Sequence, residues 1–170
     1  MVISPISILG DGASSVSQLI LEKNKLRARN PWYSDRLIEV DEKLLKRMQS
    51  SEIELDDILD RGVEVFLETE SGLEFGGETI AIGDVLHKDF WSKAAQAVSA
   101  IPGLEFACVH MLIPYPDLAP DEQRWAVAKI DTSPPVGMFH FPWRGEPCNI
   151  VENVVKNLCL TERTIWLRSD

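Results

Sequence analysis

The sequence is poor in cysteine, poor in basic residues and free of long apolar runs. Its three cysteines, Cys108, Cys148 and Cys159, are an odd number without C-x-x-C spacing. That excludes a disulfide framework and a thiolate zinc site and suits a reducing cytoplasm. Lysine and arginine number 17 against 27 aspartates and glutamates, a formal net charge of −10. Such a chain repels polyanions, so neither nucleic acid nor an anionic membrane is the expected partner. No stretch reaches the roughly 18 apolar residues of a spanning helix, and the start MVISPISILGDG lacks the basic segment of a signal peptide. Internal repeats and low-complexity segments are also missing.

What is present is enough for a core. With 170 residues, 45% hydrophobic and 26% charged, the chain reads as a single domain over 1–170, with a strand and helical subregion at 1–62 and a sheet with helices at 63–170. Val2 to Leu9 reads as a strand stopped by Gly10-Asp11-Gly12, followed by a helix with Ser14 or Ser15 as N-cap and Val16, Leu19, Ile20 and Leu26 as its buried stripe. Residues 27–36 are polar and interrupted by proline, hence a loop. Asp41 caps a short helix through Met48, with Leu44, Leu45 and Met48 inward, and a second short helix is predicted over Leu55 to Leu59. From Val63 the period changes to 2, giving strands at 63–70, 79–82, 104–113 and 124–131. Phe90, Ala94, Ala95, Val98 and Ile101 mark a helix over 88–101 that Pro102-Gly103 ends, and Pro147 opens another with Ile150, Val151, Val154, Val155 and Leu158. The predicted fold is α+β, a mainly antiparallel sheet with helices packed on one face.

The order of motifs resembles the carboxyl-terminal half of an ATP-grasp ligase, of the cyanophycin synthetase and glutathione-synthetase-like type, over nearly the whole chain. Gly10, Asp11 and Gly12 match a turn after a strand; Leu73, Gly76 and Gly77 match a Leu-x-x-Gly-Gly loop; Asp84 and His87 match a step before a helix. Gly103 and Leu104, then Val109 and His110, then Lys129 and Asp131 match the turn and two strands that follow. Pro134, Met138, His140, Pro142, Gly145, Pro147 and Asn149 match the closing loop. The resemblance implies a carboxylate-amine ligase that forms an amide through an acyl phosphate, using ATP and Mg²⁺. It also implies that the lid lysines and hinge precede residue 1, so the chain is expected to be a fragment or a remnant, and its partner a protein or the N-terminal ATP-grasp half.

The departures fall on the chemistry. The resemblance implies a metal site of Asp on one strand and Glu and Asn on the next, where this sequence has His110, Lys129 and Asp131. Residues 129 and 131 share a strand face, and residue 110 can meet them from the paired strand. Magnesium requires hard oxygen ligands. An ammonium in place of a carboxylate reverses the charge beside the ion, a change of about 4 kcal/mol per unit-charge pair at 4 Å and an effective dielectric near 20. Glu68, Thr69 and Glu70 stand where arginines are implied to stabilise the transferring phosphoryl group. No metal and no nucleotide is therefore expected on this chain alone, and no catalytic residue is assigned. Each site residue has a second reading: His110 as a hydrogen-bonded core histidine, Lys129 with Asp131 as an ion pair, Gly76 and Gly77 as a plain turn, His87 as a helix-start residue. Met138, His140, Trp143 and Arg144 lie in a loop that is either a substrate or partner surface or packing onto the sheet. Cys108 and His110 share a strand face, but nucleophilic catalysis has little support. The two functional readings are a degenerate ATP-grasp-like domain in binding, assembly or regulation, and the carboxyl-terminal part of an active ligase.

Overall fold

The computed structural model describes residues 1–160, with the side chains of 157–160 outside the description. The chain divides into two compact units: unit 1 is Met1–Ala81 with Gly137–Pro147, and unit 2 is Ile82–Val136 with the chain from Cys148 onward.

Unit 1 begins with two short strands, β1 (Val2–Ser4) and β2 (Ser7–Leu9). The single strand expected over 2–9 is broken at Pro5, which has no N–H to continue a ladder. Each half then finds its own antiparallel partner: β1 pairs with β4 (Glu78–Ile80), and β2 pairs with β3 (Glu64–Phe66). Strands 63–70 and 79–82 are thus shorter than expected and lie in separate two-stranded ladders. The antiparallel character holds; the sheet is divided.

Helix α1 (Val16–Arg29) starts at a capping box. Ser15 accepts from the backbone N–H of Gln18, and the Gln18 side chain accepts from the backbone N–H of Ser15. Helix α2 (Glu42–Ser50) is capped by Asp41, whose carboxylate accepts from Leu44 N–H at 2.8 Å. The helix predicted over 55–59 is not formed. The carbonyls of Leu55 and Asp57 accept from Ser17 N–H and Val16 N–H, both at 2.9 Å, so these two acceptors satisfy the first turn of α1 and are not available to a helix of their own. Ile6, Ile8, Val16, Ile20, Ile38, Leu44, Met48 and Leu67 form the core of the unit. Leu26 and Leu45, both expected inward, are exposed by 55% and 42%.

The Gly10-Asp11-Gly12 turn lies ahead of α1. Asp11 accepts from Ser14 N–H and the Ser14 hydroxyl, both at 2.7 Å, and from Ala13 N–H at 2.8 Å. These donors, the Ser14 N–H foremost, lower its carboxyl to about 2 from 3.8. A depressed carboxyl stabilises the fold above its unfolded value near 3.8, and the contribution is lost as pH falls through about 2. We expect the Asp11 carboxyl carbon to titrate near pH 2 by NMR in the folded chain, and Ser14→Ala to move that midpoint up; a midpoint at the ordinary aspartate value would refute the turn geometry.

Unit 2 contains α3 (Asp89–Ser99), β5 (Cys108–Leu112), β6 (Ala126–Asp131) and α5 (Ile150–Leu160). At the start of α3, Asp89 N–H donates to His87 Nδ1 at 3.3 Å, the helix-start role read for His87. Phe90, 1% exposed, meets Trp125 edge-on at 5.7 Å between ring centroids. The expected Pro147 start of α5 moves to Asn149, which accepts from Glu152 N–H at 3.2 Å while its side-chain amide donates to the Glu152 carboxylate at 2.8 Å. Val151 and Val155 of the expected stripe face outward; the side chains of Leu158 and Cys159 lie outside the described residues. No helix among the described residues is long and apolar enough to cross a membrane.

Candidate functional site

The inward face of α1 does not stay apolar. After Val16 and Ile20 the same face presents Lys23 and Arg27, in steps of 4, 3 and 4 residues that keep a helical stripe. Arg27 is fully buried and the Lys23 side chain is 11% exposed, so the two cations need an anion beside them. Glu78, at 1% exposure the most buried acid among the described residues, supplies it from β4. Its carboxylate lies 2.8 Å from Lys23 Nζ and 3.3 Å from Arg27 Nη1. The rest of the guanidinium is satisfied by carbonyls: Nε donates to Arg36 O at 2.7 Å and Nη2 to Gly76 O at 3.2 Å. Lys23 Nζ also donates to Ser7 O. Burial lowers the affinity of Lys23 and Arg27 for their protons, and Glu78 opposes the change in both.

Aromatic rings enclose these charges. Arg27 stands over the Tyr33 ring at 4.8 Å and the Trp143 ring at 5.9 Å, Lys23 stands over Trp143 at 5.3 Å, and the two rings meet edge-on at 5.5 Å. The Tyr33 hydroxyl accepts from Thr79 N–H at 2.7 Å and is hydrogen-bonded to the Thr79 hydroxyl at 3.0 Å. Trp143 N–H donates to Thr79 O at 2.9 Å, and Ala81 N–H to Arg144 O at 2.9 Å, so the 137–147 loop lies along the free edge of β4.

All six of the loop residues singled out from sequence, Gly76, Gly77, Met138, His140, Trp143 and Arg144, thus lie in unit 1 with this cluster. Gly76 adopts a left-handed φ of 75° at the end of the short Leu73–Phe75 turn. A Cβ on Gly77 would meet Ser71 O at 2.6 Å. Local packing therefore accounts for both glycines. Met138 is buried in the short helix α4 (Gly137–His140), and the half-buried His140 ring lies 6.2 Å from the Phe141 ring. Arg144 is exposed at the edge of the cluster. Sequence reading missed Lys23, Arg27, Tyr33, Glu78 and Thr79; the signal that could have found two of them is the pair of cations continuing the apolar stripe of α1.

The second group lies on the β5–β6 ladder in unit 2. His110 is the cross-strand partner of Lys129, and Cys108 that of Asp131, with an irregularity after His110. Lys129 Nζ donates to Asp131 Oδ2 at 3.4 Å, and their side chains are 64% and 26% exposed. The Ser133 N–H, ahead of Lys129, holds the Asp131 carboxyl below the usual range. Burial raises the Cys108 thiol, with Asp131 adding to the rise, so the thiolate that a nucleophile needs is disfavoured. An ammonium against the one carboxylate, with an imidazole across the ladder, does not form the oxygen-ligand set that magnesium requires. Among the described residues no group of three or more histidine, cysteine, aspartate or glutamate side chains is placed to hold a metal ion.

At the implied arginine positions, Glu68 is an anion tied down by cations: Arg47 Nη2 lies 2.6 Å and Lys43 Nζ 3.0 Å away. Burial pushes its carboxyl upward, but hydrogen bonds from Lys43 and Thr69 N–H, with the Arg47 charge, bring it below the usual value. The charge reversal at 68 is thus matched by α2 within the same unit.

No family model matches the chain. It is similar to the glutathione biosynthesis bifunctional protein GshAB of Clostridium perfringens, 26% identical over 147 residues, which span 84% of this chain and 18% of that protein. The corresponding protein of Pasteurella multocida is 28% identical over 163 residues, 91% of this chain and 21% of that one. Cyanophycin synthetase of Geminocystis herdmanii is 26% identical over 157 residues, 91% of this chain and 18% of that one. A crystal structure of a bifunctional glutathione synthetase from Pasteurella multocida superposes with a TM-score of 0.82 at 24% identity, covering 94% of this chain and 22% of that one. The homologues are thus glutathione-synthesising and cyanophycin-synthesising proteins, as the motif order implied, and the ATP-grasp ligase fold is shared. The chain spans about a fifth of the length of these relatives.

Proposed function

We propose that this chain is a degenerate ATP-grasp-like domain that does not bind Mg-ATP by itself and acts in binding, assembly or regulation. The supporting observation is the donor set on β5–β6, where Lys129 takes the place of a metal-binding carboxylate and pairs with Asp131 opposite His110. A divalent ion there would have to displace an ammonium that already neutralises the carboxylate. Glu68, held by Lys43 and Arg47 where a phosphate-binding arginine is implied, supports the same reading. The proposed compartment is the cytoplasm, a setting in which the free thiols of Cys108 and Cys148 persist.

Calorimetric titration tests the proposal. ATP with magnesium is expected to give no magnesium-dependent heat at millimolar nucleotide, and Lys129→Ala is expected to leave the thermal midpoint almost unchanged, because the pair is exposed. Sub-millimolar, magnesium-dependent binding would overturn it. A second reading is supported by the similarity to ligases over about a fifth of their length: this chain is the carboxyl-terminal part of a carboxylate-amine ligase whose nucleotide site is completed elsewhere. An upstream nucleotide-binding half in the same reading frame would favour that reading.

A further inference from the structure

On unit 1, α2 and the turn after it enclose an open groove of about 640 Å³. Its apolar lining comes from Leu45, Met48, Ile53 and Leu55, and its acidic lining from Glu42, Glu52, Glu54 and Asp56. We infer that this groove docks a basic, amphipathic helical segment of a partner protein. The inference concerns residues other than those of β5–β6 and holds whether or not the chain binds nucleotide.

Charge selects the occupant. Lys46, the one cation lining the groove, is paired with Glu42 at 3.6 Å. Glu52, Glu54 and Asp56 form no ion pair among the described residues. A second copy would bring a charge of −10 against −10, whereas a cationic segment is attracted and steered by the rim. Apolar surface calls for apolar anchors: Leu45 lies 42% exposed beside the nearly buried Met48. No strand lines the groove, so an added strand has no ladder to join, and the wall formed by a helix suits side-chain recognition of another helix.

The backbone points the same way. Ile53 N–H bonds to Met48 O at 3.0 Å and Glu52 N–H to Gln49 O at 3.1 Å, the two bonds of a Schellman ending of α2. Its left-handed position is ordinarily glycine; here it is Glu52 at φ 56°, the only non-glycine residue with positive φ among those described. A carboxylate is kept at the groove rim in a conformation that side chains disfavour.

The test titrates the full chain with a synthetic helix of about 15 residues carrying leucine at i, i+3, i+4 and i+7 and lysine or arginine elsewhere, and with a counterpart in which glutamate replaces the cations. The basic peptide should bind, more weakly as salt rises, and shift amide NMR signals of α2 and residues 51–57. The variant Glu52→Gln/Glu54→Gln/Asp56→Asn should weaken binding by roughly tenfold or more, while Asp84→Asn/Asp117→Asn/Asp121→Asn, three exposed acids of unit 2, should change it less than about twofold. Any of four results overturns the inference: no binding, equal binding of the acidic peptide, equal losses in the two triple variants, or shifts that map outside the groove. Sedimentation showing a dimer that the rim variant dissociates would assign the groove to self-association and overturn it as well.

Discussion

Glu78→Leu is expected to lower stability by about 5 kcal/mol in urea unfolding, the largest loss for any single substitution considered. The substitution removes the anion that Lys23 and Arg27 share, leaving two cations in a site where Arg27 has no solvent access. Breaking a buried pair from one side costs about 3–5 kcal/mol, because the remaining charge keeps its desolvation penalty and loses its partner. Arg27→Met should cost nearer 3 kcal/mol by the same rule, since Glu78 keeps Lys23 at 2.8 Å. Replacing all three residues with apolar ones should recover most of the loss, because no charge is then stranded. A triple variant as unstable as Glu78→Leu, or a Glu78→Leu no worse than a surface change, would show that the cluster does not act as a charge-balanced unit.

Gly10→Ala should cost about 3 kcal/mol, the upper end for overpacking, and Gly12→Ala, two residues on, about 1 kcal/mol. A Cβ at Gly10 would stand 2.2 Å from Asp60 O and 2.7 Å from Leu59 Cβ, both fixed by the backbone. Relief by shifting is blocked because Gly10 N–H bonds to Val63 O at 2.8 Å and Gly62 N–H bonds to Gly10 O at 2.9 Å. At Gly12 the nearest atom is 3.7 Å away and the burden is a left-handed φ of 78°. The two melting midpoints measured together separate steric crowding from backbone strain; equal losses would contradict the packing at Gly10.

Local sequence made the elements legible where the determining residues are neighbours. Ser15, one of the two N-caps read from sequence, Asp41 as the cap of α2, and the period of 2 that buries Leu67 beside an exposed Phe66 lie within a few residues of what they determine, although Val63 at the head of that period is exposed. Alternation placed residues 129 and 131 on one face of a strand, while the pairing of His110 with Lys129 was implied by the resemblance, and the ladder has that register. What could not be read depends on partners far along the chain. Arg27 turns inward and Leu26 outward because Glu78 waits 51 residues away; within α1 alone, leucine is the better core residue. The stretch 55–59 has helix-forming residues, but its carbonyls are taken by the first turn of α1.

Trp143 closes over Lys23 and Arg27 from a stretch that the ribosome delivers late. Its bond to Thr79 spans 64 residues, the loop-closure entropy for which grows only slowly with length. The delay in synthesis is longer: at about 5–20 residues per second, some 3–13 s separate the emergence of Thr79 from that of Trp143. During that interval the charged cluster has its anion and Tyr33 but not its second ring. Completion of unit 1 is therefore timed by translation as well as by diffusion.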